Sequence, residues 1–252
     1  MTDSYARVRL ADGSVHFSRV DGDDHALLSA APWLGGVETG RVARGVLLAP
    51  VAPSKIICVG RNYRAHAKEM GGDVPSEPLL FFKPPSAVIG PGDAIELPPE
   101  SERVDHEGEL GIVIGTAGRR IPEPEALAHV FGATAVNDVT ARDLQKKDGQ
   151  WSRAKGFDTF CPVGPVVVCG LALGELSVVC RVRGETRQSG HTRDMIFSVA
   201  KLVAYASAAM TLHPGDLLVT GTPEGVGPLA AGDEVEVEIE GVGVLRNPVR
   251  RG

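Results

Sequence analysis

Apolar positions along this chain fall in short runs separated by turn residues. Residues 5 to 19 alternate around Ala11-Asp12-Gly13-Ser14, the pattern of a β-hairpin closed by an Asp-Gly turn. From Asp21 to Val51 the sequence carries Ala-Pro, Gly-Gly and acidic patches and is read as irregular. Residues 1–53 are therefore expected to form a small N-terminal β domain, joined through Ala52-Pro53-Ser54 to a larger domain over 54–252. From Lys55 the pattern sharpens. Lys55–Gly60, Leu79–Phe82, Leu110–Ile114, Phe131–Asn137, Pro162–Val168, Leu176–Val182 and Asp216–Thr220 read as strands, several of them buried. Glu234–Ile239 alternates glutamate with valine or isoleucine, the period of a half-exposed strand. Asn62 is placed to cap a short helix reaching Met70; Thr140–Lys147 and Met195–Met210 have helical spacing. Strands dominate, and no repeating strand–helix–strand rhythm appears. The fold class expected is mixed, β-rich α+β.

Composition adds modest bounds. The chain has 252 residues, enough for a sizeable core, with 31 glycines and 18 prolines that favour many turns. A formal net charge of −6 offers no basic field for nucleic acid. Cys58, Cys161, Cys169 and Cys180 form no Cys-x-x-Cys pair and read as reduced. No basic-then-apolar leader pattern opens the chain, and no apolar stretch is long enough to span a membrane, so a cytoplasmic protein without a membrane partner is expected.

The candidate chemistry begins with Glu107 and Glu109, which lead into the apolar run Leu110–Ile114. Side chains two apart on a strand share a face, so two carboxylates stand side by side at the mouth of an apolar interior. Adjacent buried anions are costly unless neutralised, and a hard divalent cation is the simplest counter-charge. Asp138, at the end of a strand, either supplies a third ligand or caps the following helix. Three carboxylates with waters suit Mg²⁺ or Mn²⁺. His66 and Glu69 lie three apart on the short helix. Glu69 orients His66 as a base there, or the two make a surface pair. Lys155 precedes a proline-bounded strand, as a partner for a substrate carboxylate or oxyanion, or as an exposed lysine. Arg142 and Gln145 share one face of the helix after Asp138, which is either turned to the same site or solvated. Thr220-Gly221-Thr222-Pro223 offers backbone N–H groups for an anion, or simply a tight turn, and lacks the Lys-Ser/Thr of a nucleotide loop. No Gly-x-Ser-x-Gly elbow is present.

Taken in order, these segments resemble the fumarylacetoacetate hydrolase superfamily. The matching stretches are Val59-Gly60-Arg61-Asn62-Tyr63 through His66, Phe82-Lys83-Pro84, Glu107-Gly108-Glu109-Leu110, Asn137-Asp138 through Asp143, Ala154-Lys155-Gly156-Phe157-Asp158-Thr159, Met195-Ile196-Phe197 and Gly215-Asp216 to Gly227. The resemblance implies a β-roll, or pseudo-barrel, with a small N-terminal domain, working as a homodimer. It implies metal ligands at Glu107, Glu109 and Asp138, with Mg²⁺ or Mn²⁺ as cofactor and Ca²⁺ able to stand in within a crystal. It gives an acid–base pair at His66 and Glu69 on a helix that closes over substrate, an active-site lysine at Lys155, and substrate contacts at Arg142, Gln145 and Thr222. The reactions implied act on small 2-oxo or 2-hydroxy-dienoic dicarboxylic acids: C–C hydrolysis, decarboxylation or isomerisation, with enolate charge stabilised by the cation. Asp148 to Asp158 looks most like the bacterial branch of 2-hydroxyhepta-2,4-diene-1,7-dioate isomerases and oxaloacetate decarboxylases. Oxaloacetate tautomerase, acylpyruvate hydrolase and a catalytically silent binder are the alternatives. Residues 20–52 and the segment from Met70 to Pro78 are expected to shape the pocket, in a form the sequence does not spell out.

Overall fold

The structure, a computed structural model, describes residues 2–71 and 73–252. It is mostly β, with several sheets and no closed barrel among the described residues. The principal sheet runs from Glu38–Ala43 through Asp24–Leu28, Val15–Asp21, Ser4–Arg9, Cys161–Val168, Val130–Asn137, Gly108–Ile114, Leu217–Val219 and Ile56–Gly60 to Leu79–Lys83. Neighbours along this order are antiparallel, except that Leu217–Val219 lies parallel to Ile56–Gly60. A second sheet orders Glu185–His191, Ser177–Val182, Glu234–Ile239, Gly243–Arg251 and Ile95–Leu97. A small third sheet joins Thr140–Ala141, Val104–His106 and Gly227–Pro228.

The core follows from period-two alternation on strands covered on both faces. Leu110, Ile112 and Ile114 face a cluster shared with Val178, Cys180, Val235 and Val237 of the second sheet. Val113 faces the opposite cluster, with Ile56, Cys58, Val136, Cys161 and Val219. Every residue of Gly108–Ile114 is buried, which explains its unbroken apolar reading. At Gly111 a Cβ would come within 2.5 Å of Val136, so the neighbouring strand approaches closely there.

Some expected elements are corrected. The stretch 21–51 is not irregular: it holds the strands Asp24–Leu28, Glu38–Ala43 and Val46–Leu48. Glu38–Ala43 is exposed on both faces, so no apolar alternation marked it. Leu79–Lys83 is an edge strand with Leu79 and Phe82 exposed, not a buried one. The helix after Asn62 is Arg64–Glu69, and Asn62 does not cap it. The Asn62 amide instead donates to the carbonyls of Phe197 and Thr220 and accepts from Phe197 N–H, tying three segments together. Helix Arg142–Asp148 starts after an extended Thr140–Ala141, and Val199–Ala209 is shorter than its spacing suggested, beginning at the Ser198 cap. Gly72, within the segment Met70 to Pro78, lies outside the described residues. No described helix is long and apolar enough to cross a membrane.

Candidate active site

Sheet register assembles the carboxylates. Glu107 sits at the break between Val104–His106 and Gly108–Ile114, and Glu109 lies just inside the latter. The adjacent strand pairs Gly108 with Asn137 and Glu109 with Val136, which delivers Asp138 beside Glu107. The backbone N–H of Asp138 donates to the Glu107 carbonyl at 2.8 Å. One oxygen from each of Glu107, Glu109 and Asp138 lies within 4.8 Å of the other two, and all three residues are buried. The alternative role for Asp138 fails on geometry, because the next helix takes Ala141 as its N-cap without any side-chain cap.

Three buried cations hold this cluster. Lys155, on the short helix Ser152–Gly156, donates to Glu107 at 2.8 Å and to Asp138 at 2.6 Å. Lys83 donates to the other Asp138 oxygen at 2.6 Å and to the Val139 carbonyl at 3.1 Å. Arg142 bonds Glu107 at 2.5 Å, Asp105 at 2.9 Å and Gln145 at 2.8 Å. Burial opposes ionisation of Glu107, but Lys155 and Arg142 outweigh it and hold its carboxyl well below the usual range. Burial likewise works against the Lys155 charge, yet Asp138 and Glu107 keep its pKa raised. Glu109 differs. Burial, then Asp138 and Glu107, push its carboxyl well above the ordinary value, and its one donor here is the Gly221 N–H at 2.5 Å. Among the described residues the cluster thus has one carboxylate with no ion-pair partner, facing two others. An all-oxygen donor set with this deficit fits a hard divalent cation such as Mg²⁺ or Mn²⁺.

The loop after Val219 supports both halves of the site. Its Gly221 N–H meets Glu109, and its Gly225 N–H donates to Glu69 at 3.0 Å. The second Glu69 oxygen binds His66 Nδ1 at 3.0 Å, which leaves Nε2 for the cavity. Gly225 has φ +96°, and a Cβ there would sit 2.1 Å from the Arg187 carbonyl, so the turn requires glycine. Thr222 donates to the Gly108 carbonyl at 2.9 Å and accepts from Gln188 at 2.7 Å.

Of the nine residues nominated from sequence, eight line one cavity of about 40 Å³: His66, Glu107, Glu109, Asp138, Arg142, Gln145, Lys155 and Thr222. Glu69 stands behind His66. A larger cavity of about 610 Å³ elsewhere is lined by no carboxylate or histidine. Sequence reading missed Lys83, which it took as the end of a strand. It also missed Asp105, which anchors Arg142, and Gln188, which braces Gly108, Thr222 and His106. For Lys83 a signal existed: a lysine closing an apolar strand before Pro-Pro. Gln188 lies in the polar strand Glu185–His191 and gave none. Phe81 and Trp151 pack edge to face at 5.2 Å and form a wall, with Lys155 over the Phe81 ring.

Comparison with known proteins gives the family and the fold. The family model "Fumarylacetoacetate (FAA) hydrolase C-terminal" matches residues 55–250. Human mitochondrial oxaloacetate tautomerase FAHD2A is 47% identical over 215 residues, covering 80% of this chain and 68% of the human protein. The 2-hydroxyhepta-2,4-diene-1,7-dioate isomerase of Mycobacterium marinum superposes with a TM-score of 0.92 at 41% identity, over 99% of this chain and 98% of that one. The 5-carboxymethyl-2-hydroxymuconate delta-isomerase of Mycobacterium smegmatis gives 0.93 at 43% identity, over 99% of this chain and 100% of that one. With the matched region spanning the whole buried cluster, the chain belongs to the fumarylacetoacetate hydrolase family.

Proposed function

We propose that the chain is a divalent-metal-dependent enzyme that moves a proton on a small 2-oxo or 2-hydroxy-dienoic dicarboxylic acid, as an isomerase or tautomerase. The observation that carries this reading is the meeting of three buried carboxylates with the His66–Glu69 pair across one small cavity. Glu107, Glu109 and Asp138 would hold the cation, which supplies Lewis-acid polarisation of a chelating 2-oxo acid head. His66 Nε2 takes the proton from the carbon next to the carbonyl and returns it to the enolate oxygen or to the far carbon of the diene, while Glu69 holds Nδ1–H and steadies the ring as it gains charge. Lys155, with two of its three N–H groups on Glu107 and Asp138, turns the third toward developing negative charge on the substrate oxygen of the head and is not free for a distal group. The wall of Phe81 and Trp151 keeps water from the reacting atoms. Relatives named as an oxaloacetate tautomerase, a diene-dioate isomerase and a hydroxymuconate delta-isomerase favour proton transfer over C–C hydrolysis.

The test is a product-resolved assay of oxaloacetate enol–keto exchange, a 2-hydroxy-diene-dioate and an acylpyruvate, with Mg²⁺ or Mn²⁺ and again after chelation. Metal-dependent isomerisation that is lost in His66→Ala is expected. Equal turnover in EDTA would falsify the metal-dependent reading, and cleavage of the acylpyruvate as the fastest reaction would make the enzyme a hydrolase.

A further inference from the structure

Arg61 lines the inner cavity of about 40 Å³ and also an outer groove of about 530 Å³ formed with Pro75, Pro78, Leu80 and Tyr205. It is the residue common to both, so it stands at the mouth between them. Its backbone is unusual: φ is +58°, the left-handed region that costs an L-residue with a Cβ roughly 1 kcal/mol or more. The neighbouring Asn62 fixes that backbone with its three side-chain hydrogen bonds. The guanidinium is therefore delivered to the mouth on a rigid mount.

The other cations of the site are committed. Lys155 bridges Glu107 and Asp138, Lys83 holds Asp138, and Arg142 divides its guanidinium among Asp105, Glu107 and Gln145. Arg61 has no ion-pair partner among the described residues, although Glu77 lines the same groove. A substrate whose 2-oxo head fills the inner cavity must send the rest of its chain past Arg61.

We propose that Arg61 is the specificity residue for a second, distal carboxylate, so that the site selects dicarboxylic over monocarboxylic 2-oxo acids. The proposal rests on reading the inner cavity as a 2-oxo-acid site. Arg61 makes a charge-assisted, two-pronged contact at the mouth and takes no part in proton transfer.

The experiment is calorimetric binding to Mn²⁺-loaded protein, which needs no turnover. The probes are oxalate for the head alone, 2-oxobutyrate for a neutral tail, and 2-oxoglutarate and 2-oxoadipate for an acidic tail. Wild type is compared with Arg61→Asn, whose side chain tolerates positive φ, and with Arg61→Lys. Wild type is expected to bind at least one acidic-tailed probe more tightly than 2-oxobutyrate. Arg61→Asn should weaken that probe by about 10- to 100-fold, the worth of hydrogen bonds to a charged group, while oxalate and 2-oxobutyrate stay within about twofold. Arg61→Lys should keep part of the preference. Unchanged oxalate binding also reports an intact fold. An equal loss on all probes, or no loss on the acidic-tailed ones, overturns the role of Arg61 alone. If wild type binds neither oxalate nor 2-oxobutyrate, the inner-cavity reading fails first and this one falls with it.

Discussion

Replacing Lys83 by methionine separates the folding role of the buried cations from their effect on metal. Lys83 Nζ stands 2.6 Å from Asp138 Oδ1. At an effective dielectric near 20, that pair is worth about 6 kcal/mol of gross Coulomb attraction. Methionine keeps the unbranched stem and removes the desolvation cost of the ammonium, which returns roughly half of that figure. A net loss of about 3 kcal/mol is expected, at the low end of what removing one partner of a buried pair costs. For a chain of this size that lowers Tm by about 6–12 °C. The deletion also takes a positive charge away from a proposed ligand carboxylate, so a divalent cation should bind the variant more tightly. A ligand that binds only the folded form stabilises by mass action, and Mn²⁺ should therefore raise Tm more in Lys83→Met than in wild type. Scanning calorimetry with and without Mn²⁺ reads both effects. A variant within about 2 °C of wild type, or an Mn²⁺-induced rise no larger than that of wild type, refutes Lys83 as the counter-ion of Asp138.

Glu109→Gln keeps an acceptor for the Gly221 N–H but removes one of three crowded anions, so Tm without metal should hold or rise while Mn²⁺ affinity falls at least about 10- to 100-fold; unchanged calorimetric affinity removes Glu109 from the ligand set. Asn62→Ala breaks three hydrogen bonds and strands buried backbone groups, so urea denaturation should show a loss of about 2–4 kcal/mol, and a loss under about 1 kcal/mol contradicts the clasp. Burial lowers the His106 pKa, with Gln188 and Asp105 acting against it, so the folded state keeps this ring neutral where the unfolded chain protonates it. Stability from this group is complete above the unfolded pKa near 6.5 and falls as pH drops toward the lower folded value. His106→Gln should flatten the urea midpoint between about pH 7 and 5.5, and an equal slope in both proteins counts against the assignment.

The carboxylate cluster was legible because its parts follow from local rules. Period-two alternation put Glu107 and Glu109 on one side of a buried run, and a strand terminus exposed Asp138 to the same end of the sheet. The His66–Glu69 and Arg142–Gln145 pairs were legible because helical neighbours three apart meet. What stayed hidden depends on contacts distant in sequence. Asn62 looked like a cap because asparagine before a helix usually is one, yet its amide reaches Phe197 and Thr220, far along the chain. Lys83 looked like punctuation because its partner Asp138 lies 55 residues away, just past the end of another strand. The strand Glu38–Ala43 was missed because it buries too little to alternate.

The loop bearing Gly221 and Gly225 has a consequence for how such a site diversifies. Its backbone holds Glu109 at one end and Glu69 at the other, through N–H groups of two glycines at positive φ. The separation of Glu109 from Glu69 is thus set by main-chain geometry, which replacements at Gly221 or Gly225 would disturb. The cavity is more readily reshaped through Arg61, Gln145 and Trp151, whose side chains line it. A main-chain clasp on one side and side chains on the other divide the labour, and mutagenesis aimed at changing what the cavity accepts belongs among those side chains.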